Sequence, residues 1–317
     1  MLADLEEVAE AGRAVTEALV LPGPTDVVRA FLEGRAGATL RAYRKDLEDF
    51  AAFAGASVDG AARRLLAHGP GAANGLALAY RSHLVSRGLQ AATVNRRLAA
   101  LRSLVKLART LGVVAFALDV PNVRAAAYRD TRGPGVDGYQ KLLAAARRTP
   151  GPKGLRDVAI LRLLFDLALR RQEVVSLDIG HFDRQGGTLE VMGKGQTQRQ
   201  RVTLPEPTQR ALEAWMAVRG DAGAPLFVNF DRAGRQGRLT GTGLYLMIRS
   251  LGTAAGIKAR PHGLRHAGIT AALDLTQGNL RAVQRFSRHK DVRILALYDD
   301  NRADLGGEVA RLVAAAE

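Results

Sequence analysis

The chain has 317 residues and a mass of 33.9 kDa, which favours two domains over one. Its hydrophobic share of 47% and charged share of 24% exclude a disordered or fibrous protein. The formal net charge of +15 predicts a polyanionic partner. The sequence contains no cysteine, which excludes disulfides, thiolate metal sites and cysteine nucleophiles.

The positive charge is unevenly distributed. Residues 1–33 carry a net charge of −5, whereas 34–130 carry +9 and 131–317 carry +11. Two basic segments favour a clamp around a duplex, although charge by itself does not exclude a solvated, arginine-rich surface. No stretch approaches the roughly 18 apolar residues of a membrane span. Because the N-terminus is acidic rather than signal-like, we expect a cytoplasmic, nucleoid-associated protein with no membrane partner.

The N-terminal part of the chain is predicted to be all helical. Apolar positions among acids indicate an accessory helix within residues 1–24, closed by an LPGP turn. A helix beginning at Thr39 has an apolar stripe with Arg41 and Arg44 beside it. This basic flank is a candidate DNA-binding surface.

A second strong helix is predicted to begin after the N-cap Thr93 and to end near Gly112. Its apolar stripe leaves three basic side chains on the outside: Arg96, Arg97 and Arg102. These arginines either enter a DNA groove or form a solvated face, and the pattern favours neither. With weaker helical signals between the two helices, residues 25–118 are predicted to form a small helical domain.

Residues 119–135 contain prolines and glycines and few apolar residues, so they are predicted to be a linker. Residues 136–317 follow as a second, mostly helical domain, with a β-hairpin whose turn carries a lysine. Its predicted strands are Thr188–Met192 and Arg201–Leu204. Its predicted helices are 137–148, 154–169, 207–219, 241–251, 263–273, 279–287, 291–298 and 304–315. The fold class is therefore mainly α, with a small antiparallel sheet in the C-terminal domain.

Charged and nucleophilic side chains recur through the second domain. His262 and Arg265 lie three residues apart, so they share one face of a helix. His289 follows, with Tyr298 nine residues later at the end of a predicted helix. Upstream, Arg170 ends the predicted helix FDLALR, and Lys194 lies in the hairpin turn.

Two arginines, a lysine and two histidines, with no acidic cluster, are donors suited to one phosphate and form no metal cage. Guanidinium groups can stabilise the charge of a phosphoryl transition state, and a tyrosine can form a covalent phosphate ester. Each residue alone also has a structural explanation. Arg170 could be a helix-end charge, Lys194 a turn lysine and Tyr298 a packed aromatic. A third histidine between positions 262 and 289, His266, is predicted to be structural.

The motifs ALRRQEV, GKG and HGLRH, followed by His289 and Tyr298, occur in an order that resembles the tyrosine recombinase family, closest in layout to the Xer type. Thr39 and Tyr43 also look like part of the family's N-terminal core-binding helix, which assigns a SAM-like DNA-binding fold to 25–118. Residues 136–317 would then be the catalytic domain.

The resemblance implies a role for each matching residue. Arg170 and Arg265 would bind the scissile phosphate, with Glu173 supporting Arg170. Lys194 would be the general acid, and Tyr298 the nucleophile that forms a 3′-phosphotyrosine. His262 and His289 would contact the phosphate and handle protons. The implied partners are double-stranded DNA and further subunits, as a tetramer on paired sites or with a related recombinase, and the implied reaction uses no metal, cofactor or ATP.

Two positions depart from the family pattern. Ala168 and Leu169 precede Arg170 where a glycine is usual, and Arg288 stands where glycine usually precedes the histidine. Arg288 either crowds the turn before His289 or adds a phosphate contact. Two other functions stay open: a DNA-binding protein that kept the fold without catalysis, and a type IB topoisomerase-like enzyme.

Overall fold

The computed structural model describes residues 24–35, 37–124, 133–193, 196–230, 237–296 and 305–316. Two compact units are present, Met1–Arg129 and Asp130–Glu317. The predicted helix within 1–24 lies outside the described residues, apart from Pro24. Residues 125–132 of the predicted linker lie outside them as well, and the functional domain boundaries stay predictions. In the described part of the chain, no helix is long and apolar enough to cross a membrane.

The first unit is a bundle of helices around an aromatic-rich core. Phe31, Phe50 and Tyr80 are almost fully buried, with Leu98 and Leu101 beside them. Phe50 and Tyr80 meet edge to face, with ring centroids 5.1 Å apart. The helices are α1 (Pro24–Glu33), α2 (Gly37–Phe53), α3 (Val58–Ala67), α4 (Gly69–Ser86) and α5 (Ala91–Thr110).

Two details of this unit differ from what the sequence predicts. Helix α1, a ten-residue helix whose Val27 and Phe31 enter the core, was not predicted as an element of its own. Thr93 is not the N-cap of α5, because Gln90 holds that position and accepts the backbone N–H of Val94 at 3.1 Å. The helix thus begins at Ala91, about one turn earlier than expected.

Arg97 does not face outwards as predicted. It is 8% exposed, and its Nη1 donates to Oδ2 of Asp49 at 2.6 Å. The Tyr80 hydroxyl donates to the same oxygen at 2.7 Å. Arg97 follows Val94 by three residues, the spacing of the buried face, and its charge is tolerated there because the carboxylate pairs with it. A neighbouring pair, Arg96 with the buried Asp46, closes the same network.

The second unit contains a three-stranded antiparallel sheet in the order β1-β2-β3. The strands are β1 (Phe182–Asp183), β2 (Thr188–Met192) and β3 (Arg199–Thr203). The predicted hairpin is β2 and β3, and β1 is an additional two-residue edge strand. Leu189 and Val191 of β2 are fully buried, so alternate residues of this strand face the core.

Helices cover the rest of the second unit. They are α6 (Gly135–Arg148), α7 (Pro152–Asp166), α8 (Arg171–Val175), α9 (Glu206–Arg219), α10 (Gly241–Ala254), α11 (Pro261–Leu275), α12 (Leu280–Ser287), α13 (Arg293–Ala296) and α14 (Leu305–Ala314). Helix α7 packs against α6, α9 and α11, and Ile160 and Leu164 are fully buried. The turn that follows α7 is buried as well, since Ala168 and Leu169 are 0% exposed.

Helix α7 ends at Asp166, so the predicted helix 154–169 is too long and Arg170 does not end it. A tight turn follows in which Ala168 has a φ of 46°. Ala168 packs with Ile269, Leu273 and Val283 in a small apolar cluster separate from the main core. This cluster joins the turn after α7 to helices α11 and α12.

Candidate active site

Arg170 occupies the N-cap position of α8. Its backbone N–H donates to Oε2 of Glu173 at 2.8 Å, and its Nη1 donates to Oε1 of the same carboxylate at 2.6 Å. Glu173 is 3% exposed, whereas the Arg170 side chain is 29% exposed. One buried carboxylate therefore fixes both the backbone and the guanidinium group of a partly accessible arginine.

Burial by itself would raise the pKa of Glu173. The Arg170 backbone N–H and the guanidinium groups of Arg288 and Arg170 outweigh burial, so the pKa lies below its ordinary value. The carboxylate is ionised at neutral pH. The predicted support of Arg170 by Glu173 corresponds to these contacts.

Arg265 lies on α11 and is 2% exposed. Its Nη1 donates to the carbonyl of Ala168, and its Nη2 donates to the carbonyl of Ser287 at 2.7 Å. The same Nη2 lies 3.2 Å from Nε2 of His289. Arg265 thus joins the turn before Arg170 to the turn before His289.

The contacts of His289 determine its tautomer. A guanidinium group has no acceptor, so Nε2 facing Arg265 must carry the lone pair. The proton then lies on Nδ1, which donates to the hydroxyl of Ser287 at 2.9 Å. The Ser287 hydroxyl can in turn donate to the carbonyl of Gln284 at 3.4 Å. Ser287 is fully buried, and the sequence analysis did not identify it.

Both histidines of the site lie in a positive field. Burial first, and then the charges of Arg265 and Arg170, lower the pKa of His289 to about 4. Desolvation lowers the pKa of His262 as well, again with Arg265 and Arg170 contributing, although the side chain is exposed. The two imidazoles are neutral at pH 7 and sit beside a concentrated positive charge, which complements a phosphate.

Arg288 neither crowds the turn before His289 nor points to solvent. It caps α12 in the left-handed conformation, with φ of 55°, and its side chain is 9% exposed. The guanidinium group donates to the carbonyls of Leu167, Ala168 and Phe286 and contacts Glu173. The unusual residue was noticed in the sequence without its contacts to Leu167, Ala168 and Glu173, because those residues lie more than 100 positions earlier in the chain.

The remaining predicted residues are placed as follows. Lys194 and Tyr298 lie outside the described residues, and their roles stay predictions. His266 is 3% exposed, on the same helix as Arg265. In the described part of the chain, no group of three or more His, Cys, Asp or Glu side chains could hold a metal ion.

The residues predicted to contact DNA differ in exposure. Thr39, Arg41 and Arg44 are exposed on α2. Arg96 is half exposed while pairing with Asp46. Arg102 donates to the carbonyl of Val120 at 2.7 Å and to Oδ1 of Asn122 at 2.8 Å. DNA contact by these residues stays a prediction, and α2 offers the more accessible cations.

Each of the two units matches the model of a known protein family. The model of the phage integrase family matches residues 136–304, and that of the phage integrase N-terminal SAM-like domain matches residues 30–111. The chain belongs to the phage integrase family. This family assignment confirms the tyrosine recombinase resemblance, and a tyrosine recombinase is an enzyme that cleaves and rejoins DNA.

Individual relatives agree with the family assignment. Tyrosine recombinase slr0733 of Synechocystis sp. is 38% identical over 245 residues, covering 75% of this chain and 78% of the relative. Tyrosine recombinase XerD of Caulobacter vibrioides is 32% identical over 274 residues, covering 82% and 85%. This integrase-family chain is therefore a site-specific DNA recombinase, and the two alternative functions are not favoured.

Solved structures share the fold. XerH site-specific recombinase bound to a difH substrate matches with a TM-score of 0.65 and 18% identity, over 86% of this chain and 79% of that one. A lambda integrase dimer bound to a COC′ core site matches with a TM-score of 0.62 and 16% identity, over 88% and 95%. The mainly helical fold with a small antiparallel sheet is confirmed.

Proposed function

We propose that this recombinase cleaves one DNA strand at a phosphate held by Arg170, His262 and Arg265, with His289 holding the Arg265 guanidinium group in place. The observation that carries the proposal is geometric: Nη2 of Arg265 lies 3.2 Å from Nε2 of His289, and Arg265 and Arg170 are near enough to both histidines to add to the lowering of their pKa by burial. Such a concentration of positive charge, held rigidly by buried partners, can stabilise the extra negative charge of a phosphoryl transition state.

The proposed step is a transesterification. The phenol oxygen of Tyr298 attacks phosphorus, and the bond from phosphorus to the 5′ oxygen breaks. Lys194 protonates that oxygen, and neutral His262 accepts the tyrosine proton. The products are a 3′-phosphotyrosine and a free 5′ hydroxyl. Since one phosphate ester replaces another, rejoining reverses the step without ATP.

The first unit is proposed to hold the duplex. Arg41 and Arg44 on the exposed flank of α2 can contact backbone phosphates. We further propose that the enzyme acts as a tetramer on paired DNA sites at the nucleoid, since exchanging two duplexes requires four cleavages.

The test is a covalent adduct. DNA trapped on the wild-type protein in cells is sequenced, and a nicked duplex of that sequence then serves as substrate. We expect an adduct that denaturing gels and peptide mapping assign to Tyr298. Tyr298→Phe should abolish it, whereas Tyr245→Phe, a half-buried tyrosine of α10, should leave it unchanged. DNA binding without an adduct from the wild-type protein would refute the proposal.

A further inference from the structure

Arg288 is not one of the proposed phosphate ligands, yet its guanidinium group contacts three backbone carbonyls of the site. Its Nη1 donates to the carbonyls of Leu167 at 3.1 Å and Phe286 at 3.0 Å. Its Nη2 donates to the carbonyls of Leu167 and Ala168, each at 3.1 Å, and lies 3.3 Å from Oε2 of Glu173. The carbonyl of Arg288 in turn accepts Nη2 of Arg170 at 3.3 Å.

We propose that Arg288 is a positioning residue for DNA cleavage, which locks the turn before Arg170 to the turn before His289. The proposal rests on the proposed function of Arg170, Arg265 and His289 at the scissile phosphate.

Arg288 is linked to Arg170 through Glu173, to Arg265 through the carbonyl of Ala168, and to His289 through the chain. Glu173, which holds Arg170 at two atoms, takes Arg288 as a second cation. The Ala168 carbonyl accepts both Arg288 and Arg265. Arg288 also precedes His289 directly in the chain. A shift of this one guanidinium group would therefore move all three.

Two features separate this role from phosphate binding. The side chain is 9% exposed, and both of its Nη atoms donate to backbone carbonyls within the protein. The backbone conformation points the same way. A φ of 55° favours glycine, yet arginine occupies the position, as alanine does at Ala168 with φ of 46°. The two left-handed turns are bridged by the guanidinium group that glycine would lack.

The main test variant is Arg288→Gly, which suits the backbone and removes the bridge. With the nicked duplex at saturating concentration, we expect the rate of adduct formation to fall at least tenfold, with less than a twofold change in Kd for DNA. The matched control is Gln277→Gly, which makes the same substitution at φ of 52° on an exposed side chain and should change neither quantity. Guanidinium ion at millimolar concentration should restore part of the rate of Arg288→Gly only.

A wild-type rate for Arg288→Gly, or a Kd that rises in parallel with the rate loss, would overturn the proposal. Should Arg288→Gly melt well below the wild type, Arg288→Lys replaces it. Lysine keeps the charge but cannot span the carbonyls and Glu173 together, so a wild-type rate there would also overturn the proposal.

A second readout does not depend on cleavage. In ¹⁵N-labelled protein, the guanidinium Nε–H signals of Arg170 and Arg265 should be sharp in the wild type and broadened by motion in Arg288→Gly. Unchanged signals would overturn the positioning role. If the wild-type protein forms no adduct while these signals respond to Arg288→Gly, the proposed function fails and the bridge stands.

Discussion

At the scale of single residues, the site depends on side chains whose neighbours permit only one pattern of hydrogen-bond donors and acceptors. Arg265 cannot accept a hydrogen bond, so it forces His289 to present a lone pair from Nε2 and a proton from Nδ1. The buried hydroxyl of Ser287 completes the chain. A neutral imidazole is thereby held in one tautomer beside the phosphate-binding arginines.

This arrangement predicts a pH dependence. Burial and the nearby guanidinium groups lower the pKa of His289 from 6.5 to about 4. Above pH 6.5 the histidine is neutral in both folded and unfolded chains and contributes no slope. Between pH 6.5 and about 4 only the unfolded chain gains the proton, so the free energy of unfolding falls as the pH falls.

We expect the ring proton signals of His289 in NMR spectra to titrate with a midpoint near pH 4. The substitution His289→Gln should also reduce the loss of unfolding free energy in urea between pH 6.5 and 4. A midpoint near 6.5 would show that the guanidinium groups do not act on this imidazole as the contacts require.

The partners of these residues could be predicted from sequence only where they are close in the chain. Glu173 lies three residues from Arg170, and its support of Arg170 was implied by the family resemblance. The contact between Arg288 and the Ala168 carbonyl joins positions 120 apart, and it exists only because two turns meet. No local pattern encodes such a meeting, so Arg288 was noticed only as an unusual residue.

At the scale of elements, long periodic helices were predicted within a few residues of their observed bounds. The apolar stripe of α5 shows both the strength and the limit of that reasoning. It identified the helix, but it treated Arg97 as exposed because arginine is usually exposed. The spacing from Val94 to Arg97 already placed that position on the buried face, and Asp49 supplies the partner charge. Helix α1 and strand β1 are short, so their patterns carry little periodic signal.

The approach of α11 to α7 predicts a packing effect. A Cβ atom at Gly268 would lie 2.4 Å from the carbonyl oxygen of Phe165, a backbone atom that cannot rotate away. Gly268→Ala should therefore push α11 outwards, one turn beyond Arg265. We expect it to lower the free energy of unfolding by about 1 to 3 kcal/mol.

The control for Gly268→Ala is Gly75→Ala on α4. A Cβ atom there would have no neighbour within 4 Å, so the better helix propensity of alanine should stabilise the protein by about 0.5 to 1 kcal/mol. Urea unfolding of both variants measures the difference. Equal stability of the two variants would mean that the close approach of α11 and α7 is not a constraint.

At the scale of the whole molecule, the net charge of +15 implies a large electrostatic share in DNA binding. The structure distinguishes arginines already paired within the protein, such as Arg97, from exposed arginines, such as Arg41 and Arg44 of α2. Only the second group can release counterions from DNA on binding, so the two groups should respond differently to salt.

The logarithm of the DNA association constant should fall linearly with the logarithm of the salt concentration, with a slope of about −0.9 for each phosphate neutralised. Arg41→Gln should make that slope shallower by roughly one unit, because one exposed phosphate contact is lost. Arg97→Gln should leave the slope unchanged and instead lower the melting temperature, because Asp49 and the buried Asp46 both lose a buried cation. Filter-binding titrations from about 50 to 200 mM salt measure the slope. If Arg41→Gln and Arg97→Gln change it equally, the exposed flank of α2 is not the surface that meets the DNA backbone.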